Sequence, residues 1–378
     1  MFGNRVTLFK LLGFEVKLDS SWIILAVLIT WSLAKGVFPA YFEDMPAANY
    51  WAMGVAGAAG LFLSIIFHEL SHSLVARRFG IPMRGITLFI FGGVAEMSEE
   101  PPGAKAEFLT AVIGPVSSLV LAAAFYGLLL TGETLGWPAA INGVLFYLVW
   151  VNAILALFNL LPAFPLDGGR VFRSALWFWK GDLRWATMIA SRAGSAFGIV
   201  FIALGLWGII EGNFIGGLWQ ALIGLFLRGA AQASYRQVLT RDALSGLKVS
   251  RFMTPDPVSV PPGITLQDFV EEYLYRTHHQ IYPVVQAGEL VGCLTVRSLR
   301  DVPRAEWPRR LVGETAGRCN EATVIGPDAD ALSVLGRMNE TGNSRLLVVD
   351  NGRLAGIVTL KDLMEVLALR MEIEGPRH

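Results

Sequence analysis

Cysteine is nearly missing from this 378-residue sequence, which has only Cys293 and Cys319. They form no CxxC and lie far apart, so the spacing suggests neither a disulfide framework nor a thiolate zinc site, and two reduced thiols in an intracellular region are expected. Net charge is missing too, since 31 Lys and Arg balance 31 Asp and Glu. That excludes the basic excess of a nucleic-acid-binding chain, and no nucleic-acid partner is expected. Charge of either sign is scarce, at 16% against 53% hydrophobic residues with a mean hydropathy of +0.50, which excludes a disordered chain. Nor is a cleavable signal peptide expected. The first apolar stretch begins near Ser20, after a mildly basic amphipathic segment, without a small-residue cleavage site, and is expected to remain as an anchor.

The scarce charge is unevenly spread. Residues 241–378 hold 34 of the 62 charged side chains, so residues 1–240 read as membrane-embedded and 241–378 as a soluble region. Six apolar stretches fall at about 20–39, 49–76, 107–131, 138–161, 188–210 and 213–233. Each approaches the ~20 residues that a helix needs to cross a bilayer. The last is the weakest and requires Arg228 to snorkel. Basic residues gather in alternate connections: Arg5, Lys10 and Lys17; Arg77, Arg78, Arg84 and Lys105; Arg170, Arg173, Lys180, Arg184 and Arg192. The positive-inside tendency therefore predicts a multi-pass protein of the cell membrane with both termini cytoplasmic.

Histidine is rare as well, with five in the chain, yet two of them form His68-Glu69-Leu70-Ser71-His72 inside the second apolar stretch. Residues four apart share a helix face, so His68 and His72 can present imidazole nitrogens to one ion while Glu69 stands beside it as a general base. Ionisable groups at membrane depth are costly and mark functional sites. Two imidazoles leave a tetrahedral zinc site short of one protein ligand. His278, His279 and His378 all lie in the charged tail, so a carboxylate is expected. Asp167 is the candidate, in NLLPAFPLDGG at 159–169, where Pro162 and Pro165 stop a regular helix and Gly168-Gly169 permit sharp turns. The second and fourth stretches run in the same direction, so all three donors sit toward the same ends of their helices.

These two motifs resemble the site-2 protease family of intramembrane zinc metalloproteases (peptidase family M50), over roughly the first 235 residues. The resemblance implies His68, His72 and Asp167 as ligands of one Zn2+, Glu69 as the general base, and Asn159 as a residue that positions substrate or stabilises the developing oxyanion. It also implies hydrolysis of a peptide bond in or near a membrane-spanning protein substrate. Residues 85–97, with Gly92-Gly93 within a strand-forming run, read as a hairpin resembling the family's membrane-associated sheet, able to take an extended substrate by strand addition or merely to pack over the helices. One departure is that Gly114-Pro115 is followed by Val116-Ser117-Ser118, where relatives commonly place an asparagine; no site role is assigned there.

The tail repeats itself at an offset of 64. YPVVQAGELVGCLTVRSL and LLVVDNGRLAGIVTLKDL each read as strand, tight turn, strand and helix. The strings resemble a pair of CBS domains at about 247–303 and 310–370. The resemblance implies contact of Thr359 and Asp362 with the ribose of an adenosine nucleotide, and a homodimer formed through the pair. Ser298 replaces the corresponding aspartate in the first repeat. His278-His279 lacks nearby ligands and reads as an ordinary surface or core pair.

The expected fold is a polytopic α-helical membrane protein of about six transmembrane helices, with a short β-hairpin or sheet after the second, followed by a C-terminal α/β tandem CBS domain. The expected function is intramembrane zinc endopeptidase in regulated intramembrane proteolysis, modulated by the CBS pair. The alternative is a CBS-regulated ion channel or transporter, whose ionisable groups would line a translocation path.

Overall fold

The computed structural model describes residues 5–89, 92–97, 100–319 and 323–373. His378, and Ile90 and Phe91 of the 85–97 stretch, lie outside the described residues. The chain divides into two compact units, Met1–Arg236 and Gln237–His378.

In the first unit, β1 (Arg5–Leu11) and β2 (Phe14–Asp19) form a hairpin whose turn places Leu12 and Gly13 at positive φ. Helix α1 (Ser21–Ser32) continues through a π-helical turn, Leu33–Val37, into α2 (Phe38–Tyr41). After Pro46 comes the 32-residue α3 (Ala47–Arg78), then β3 (Met83–Phe89) and β4 (Gly92–Met97). There follow α4 (Ala104–Thr134), α5 (Ala139–Asn159), α6 (Asp167–Lys180), α7 (Leu183–Ile210) and α8 (Phe214–Leu244), whose last residues belong to the second unit. Among the described residues six helical stretches are long and apolar enough to cross a membrane: Ser21–Tyr41, α3, α4, α5, α7 and α8. This is a multi-pass membrane protein. At ~1.5 Å per residue, the longer helices exceed the ~30 Å hydrocarbon layer and carry charge beyond it, as Arg77 and Arg78 do at the end of α3.

Two features depart from the sequence expectations. The hairpin after α3 is half of a four-stranded sheet, in the order β1-β2-β3-β4, because the N-terminal arm supplies two strands and β2 pairs in parallel with β3. Phe14, Val16, Ile86 and Leu88 of this sheet pack on Ile66 and Leu70 of α3, on either side of His68 in sequence. The basic stretch after α5, expected as a loop, is helix α6. It is amphipathic, buries Asp167, Arg173 and Ser174, and ends at Gly181 in the left-handed conformation.

The second unit is a mixed α/β structure. Its elements are β5 (Thr254–Pro255), α9 (Leu266–Phe269), α10 (Tyr275–Thr277), β6 (Ile281–Gln286), β7 (Glu289–Thr295), α11 (Val296–Arg300), α12 (Val312–Thr315), β8 (Val324–Ile325), α13 (Ala331–Thr341), β9 (Arg345–Asp350), β10 (Arg353–Thr359) and α14 (Leu360–Ile373). The repeat reads out as expected: β6-turn-β7-α11 and β9-turn-β10-α14. Each tight turn has two residues at positive φ, Ala287-Gly288 and Asn351-Gly352. The repeats share one sheet, β6-β7-β10-β9-β8, and each has its own core. Leu244, ahead of the first repeat, and Leu247 and Val249, at its start, pack in the core of the second, and β5 pairs with β10.

The expectation of two free thiols is corrected. Cys293 and Cys319 are joined in a disulfide with their Cα atoms 5.6 Å apart. Tertiary pairing brings them together: Cys293 N–H donates to Gly317 O (2.9 Å) and Gly317 N–H to Cys293 O (3.1 Å), which lays the residues before Cys319 along β7.

Candidate metal centre

His68 and His72 stand one turn apart on α3, and each is only 3% exposed. Nδ1–H of His72 donates to the Thr110 carbonyl oxygen at 2.6 Å, which leaves the lone pair on Nε2. His68 Nδ1 lies 2.9 Å from the buried Ser118 Oγ, so its Nε2 likewise faces inward. The two Nε2 atoms are 3.2 Å apart. Asp167 Oδ2 closes the triangle, 3.0 Å from His68 Nε2 and 3.1 Å from His72 Nε2.

Asp167 reaches this point because α5 ends at Asn159 and residues 160–166 turn back to start α6, with Asp167 as its first residue. It therefore opens a helix instead of sitting in an irregular segment. The turn is tight enough to require glycine: a Cβ on Gly169 would stand 2.5 Å from the Ala163 carbonyl carbon.

The donor set suits zinc. Bonds of about 2.0–2.1 Å to nitrogen and oxygen set tetrahedral neighbours roughly 3.3 Å apart, close to the 3.0–3.2 Å found here. Space is reserved as well. A Cβ on Gly114 would overlap His72 Nε2 and stand 2.7 Å from His68 Nε2, so the missing side chain keeps open the region that both lone pairs face. Among the described residues, His68, His72 and Asp167 are the group of His, Cys, Asp or Glu able to hold an ion.

Glu69 is half-buried on α3, against β4: a Cβ on Gly93 would lie 3.2 Å from Glu69 Oε1. Asn159 is half-buried at the end of α5, where its Nδ2 donates to the Leu155 carbonyl at 3.0 Å. Thr359 and Asp362 bond to each other's backbone at the start of α14, with Thr359 N–H donating to Asp362 Oδ2 (2.8 Å) and Asp362 N–H to Thr359 Oγ1 (3.2 Å). Thr295 and Ser298 form the equivalent cap in the first repeat. His278 sits in a left-handed helix cap, while His279 N–H donates to Tyr282 Oη.

Sequence reasoning missed Thr110, Gly114 and Ser118, all on α4. The serines after Gly114-Pro115 were the available signal, because a hydroxyl can take over the polar role of an asparagine.

Two imidazoles and a carboxylate able to hold a metal ion, buried beside a glutamate among helices long and apolar enough to span a membrane, are the donor set of a metal-dependent hydrolase. Peptidase family M50 matches residues 56–143 and 134–205, and the CBS domain matches residues 249–304 and 319–369. Rip3 of Mycobacterium tuberculosis is 37% identical over 96% of this chain and 93% of that protein. Zinc metalloprotease MJ0392 of Methanocaldococcus jannaschii is 30% identical over 98% of each. Among solved structures, the site-2 protease from Methanocaldococcus jannaschii is 28% identical over 62% of this chain and 96% of that one, with a TM-score of 0.43. The chain belongs to peptidase family M50, as a zinc metalloprotease of the site-2 protease type carrying a CBS pair.

Proposed function

We propose that this metalloprotease cleaves a peptide bond in or beside the membrane-spanning segment of a protein substrate, with His68, His72 and Asp167 as zinc ligands. The observation that carries this reading is the convergence of His68 Nε2, His72 Nε2 and Asp167 Oδ2 within 3.0–3.2 Å over the bare Cα of Gly114. The chemistry that zinc supplies when bound is Lewis acidity toward the scissile carbonyl and the attacking water. Glu69 takes the proton from that water and returns it to the departing amide nitrogen, so the C–N bond breaks with neutral products. Thr110 and Ser118 hold the imidazole rings in one orientation. Asn159 gives up its bond to Leu155 and donates to substrate.

A substrate helix hides its carbonyls in its own hydrogen bonds and must unwind first. β4 ends the four-stranded sheet and runs past Glu69 at Gly93, which supports strand addition there as the means of holding an unwound segment. The clustering of basic residues in alternate connections supports cytoplasmic termini. In the tail, an adenosine nucleotide bound at Thr359 and Asp362 modulates cleavage, and the CBS pair forms a homodimer.

The test compares membrane proteomes of cells carrying the wild-type chain or Glu69→Gln. The variant should retain zinc and lose cleavage by about 10²–10⁴-fold, the contribution of a positioned general base. Equal cleavage by the two would refute the base assignment. For the tail, AMP or ATP should raise the melting temperature of the wild type and leave that of Asp362→Ala unchanged; identical shifts would remove nucleotide sensing.

A further inference from the structure

The metal centre takes its donors from α3 and α6, yet the groups that orient the imidazoles belong to α4. Thr110, Gly114 and Ser118 recur every four residues, on one face of that helix. One turn before Thr110, within about 60° of each of these residues around the helix axis, is Glu107. It is completely buried on a membrane-spanning helix, where a charge without a partner would be very costly.

Its nearer partner is Arg173 of α6, 4% exposed and six residues after Asp167, while Arg170 Nε of the same helix lies farther off, 3.9 Å from Glu107 Oε1. Arg173 Nε–H donates to Glu107 Oε1 at 2.6 Å, and Nη2 also pairs with that oxygen. Nη2 donates to Glu100 Oε2 at 3.0 Å, and Nη1 approaches Thr187 Oγ1 of α7 at 3.5 Å. The guanidinium also lies over the Phe164 ring, 5.1 Å from its centroid, in the turn just ahead of Asp167. Arg173 thus grips the segment on both sides of Asp167 and ties it to the helix that orients His68 and His72.

We propose that the buried Glu107–Arg173 pair is a positioning device for the metal centre, setting the register of α6 on α4 so that Asp167 Oδ2 meets the two Nε2 atoms. This rests on the reading of His68, His72 and Asp167 as zinc ligands. A pair serving only to glue two helices would lower stability when cut and leave metal affinity alone. A positioning pair acts through Asp167, and its effect vanishes when Asp167 can no longer bind.

Zinc affinity of the full chain in detergent, measured by chelator competition, separates these roles. Arg173→Met should weaken zinc on the order of ten- to a hundredfold, as loss of groups supporting a ligand does, and alter the visible spectrum of the cobalt-loaded protein. Arg173→Lys should recover part of both. In an Asp167→Asn background, Arg173→Met should have almost no further effect, because the two residues act through one interaction. Wild-type zinc affinity and cobalt spectrum in Arg173→Met would overturn the proposal, as would a loss that persists in full beside Asp167→Asn. If Arg173→Met does not fold, Glu107→Gln, of the same shape, carries the same test. A loss of affinity confined to the Asp167 background supports the proposal, and unchanged affinity overturns it. Wild-type affinity in Asp167→Asn alone would instead refute the ligand assignment, and the positioning role with it.

Discussion

The two units of this chain are turned opposite ways. Among the described residues, all the buried polar and charged side chains, from Asp19 to Ser191, belong to the first unit, whereas most of the large exposed apolar ones, such as Leu63, Val120, Leu157 and Ile210, belong there too. The second unit has the ordinary arrangement, with Leu346, Leu347, Val348, Val358 and Leu363 fully buried and charge outside. The difference follows from the solvent. Lipid is as apolar as leucine, so burying leucine there gains little, and helices associate through close packing and polar contacts. Gly198 and Gly205 of α7 meet Gly224 and Gly217 of α8 backbone to backbone, where a Cβ on Gly198 would stand 2.7 Å from the Gly224 carbonyl oxygen. Asn152 of α5 donates to Ser64 of α3 at 3.0 Å. In the tail, water drives the same process through apolar burial.

The sharpest way to break this contrast is at Gly114. A side chain there occupies the region both imidazoles face, so Gly114→Val should abolish zinc binding and reduce cleavage by at least ~10²-fold, as a displacement of about 1 Å in a catalytic site does; metal analysis of the purified variant checks it. The tail should respond to apolar truncation instead. Leu363→Ala removes a fully buried side chain and should cost about 2–5 kcal/mol in a denaturant titration of tail unfolding. Opening the Cys293–Cys319 crosslink, which closes a stretch of 26 residues, should cost the tail about 2–4 kcal/mol, read as a lower denaturation midpoint with reductant. The smallest effects belong to the surfaces. Leu63→Ala, 66% exposed on α3, should be neutral within about 0.5 kcal/mol in detergent. Removing the exposed Lys248–Asp328 pair should cost no more than about 1 kcal/mol. A large loss from Leu63→Ala would show that this face meets protein and would spoil the contrast.

Much of this was legible because it depends on short-range pattern. A span announces itself by ~20 apolar residues, HExxH by a four-residue helical spacing, and the tail by strings that recur 64 residues apart. The candidate centre was legible for the same reason at His68, His72 and Asp167, chemically costly residues in an apolar setting. Its supporting residues were not. Thr110 acts through its backbone carbonyl, which carries no sequence mark, and Gly114 through the absence of a side chain. Strands β1 and β2 carry a weak alternating pattern that an amphipathic reading absorbed. α6 reads as a loop in sequence because Pro162, Pro165 and Gly168-Gly169 break helical pattern ahead of it and its bases mark it as a connection.

What the sequence determined by itself is the division into lipid-facing and water-facing parts, the six spans, the doubled tail and the three groups of the candidate metal centre, since each follows from residue chemistry over a few turns of chain. Tertiary structure alone decided that the N-terminal arm completes the sheet beside Glu69, that Cys293 meets Cys319, and that α4 orients both imidazoles while Glu107 holds Arg173. Those facts join segments tens of residues apart, and contact at that range is set by how helices and strands pack, which no local pattern encodes.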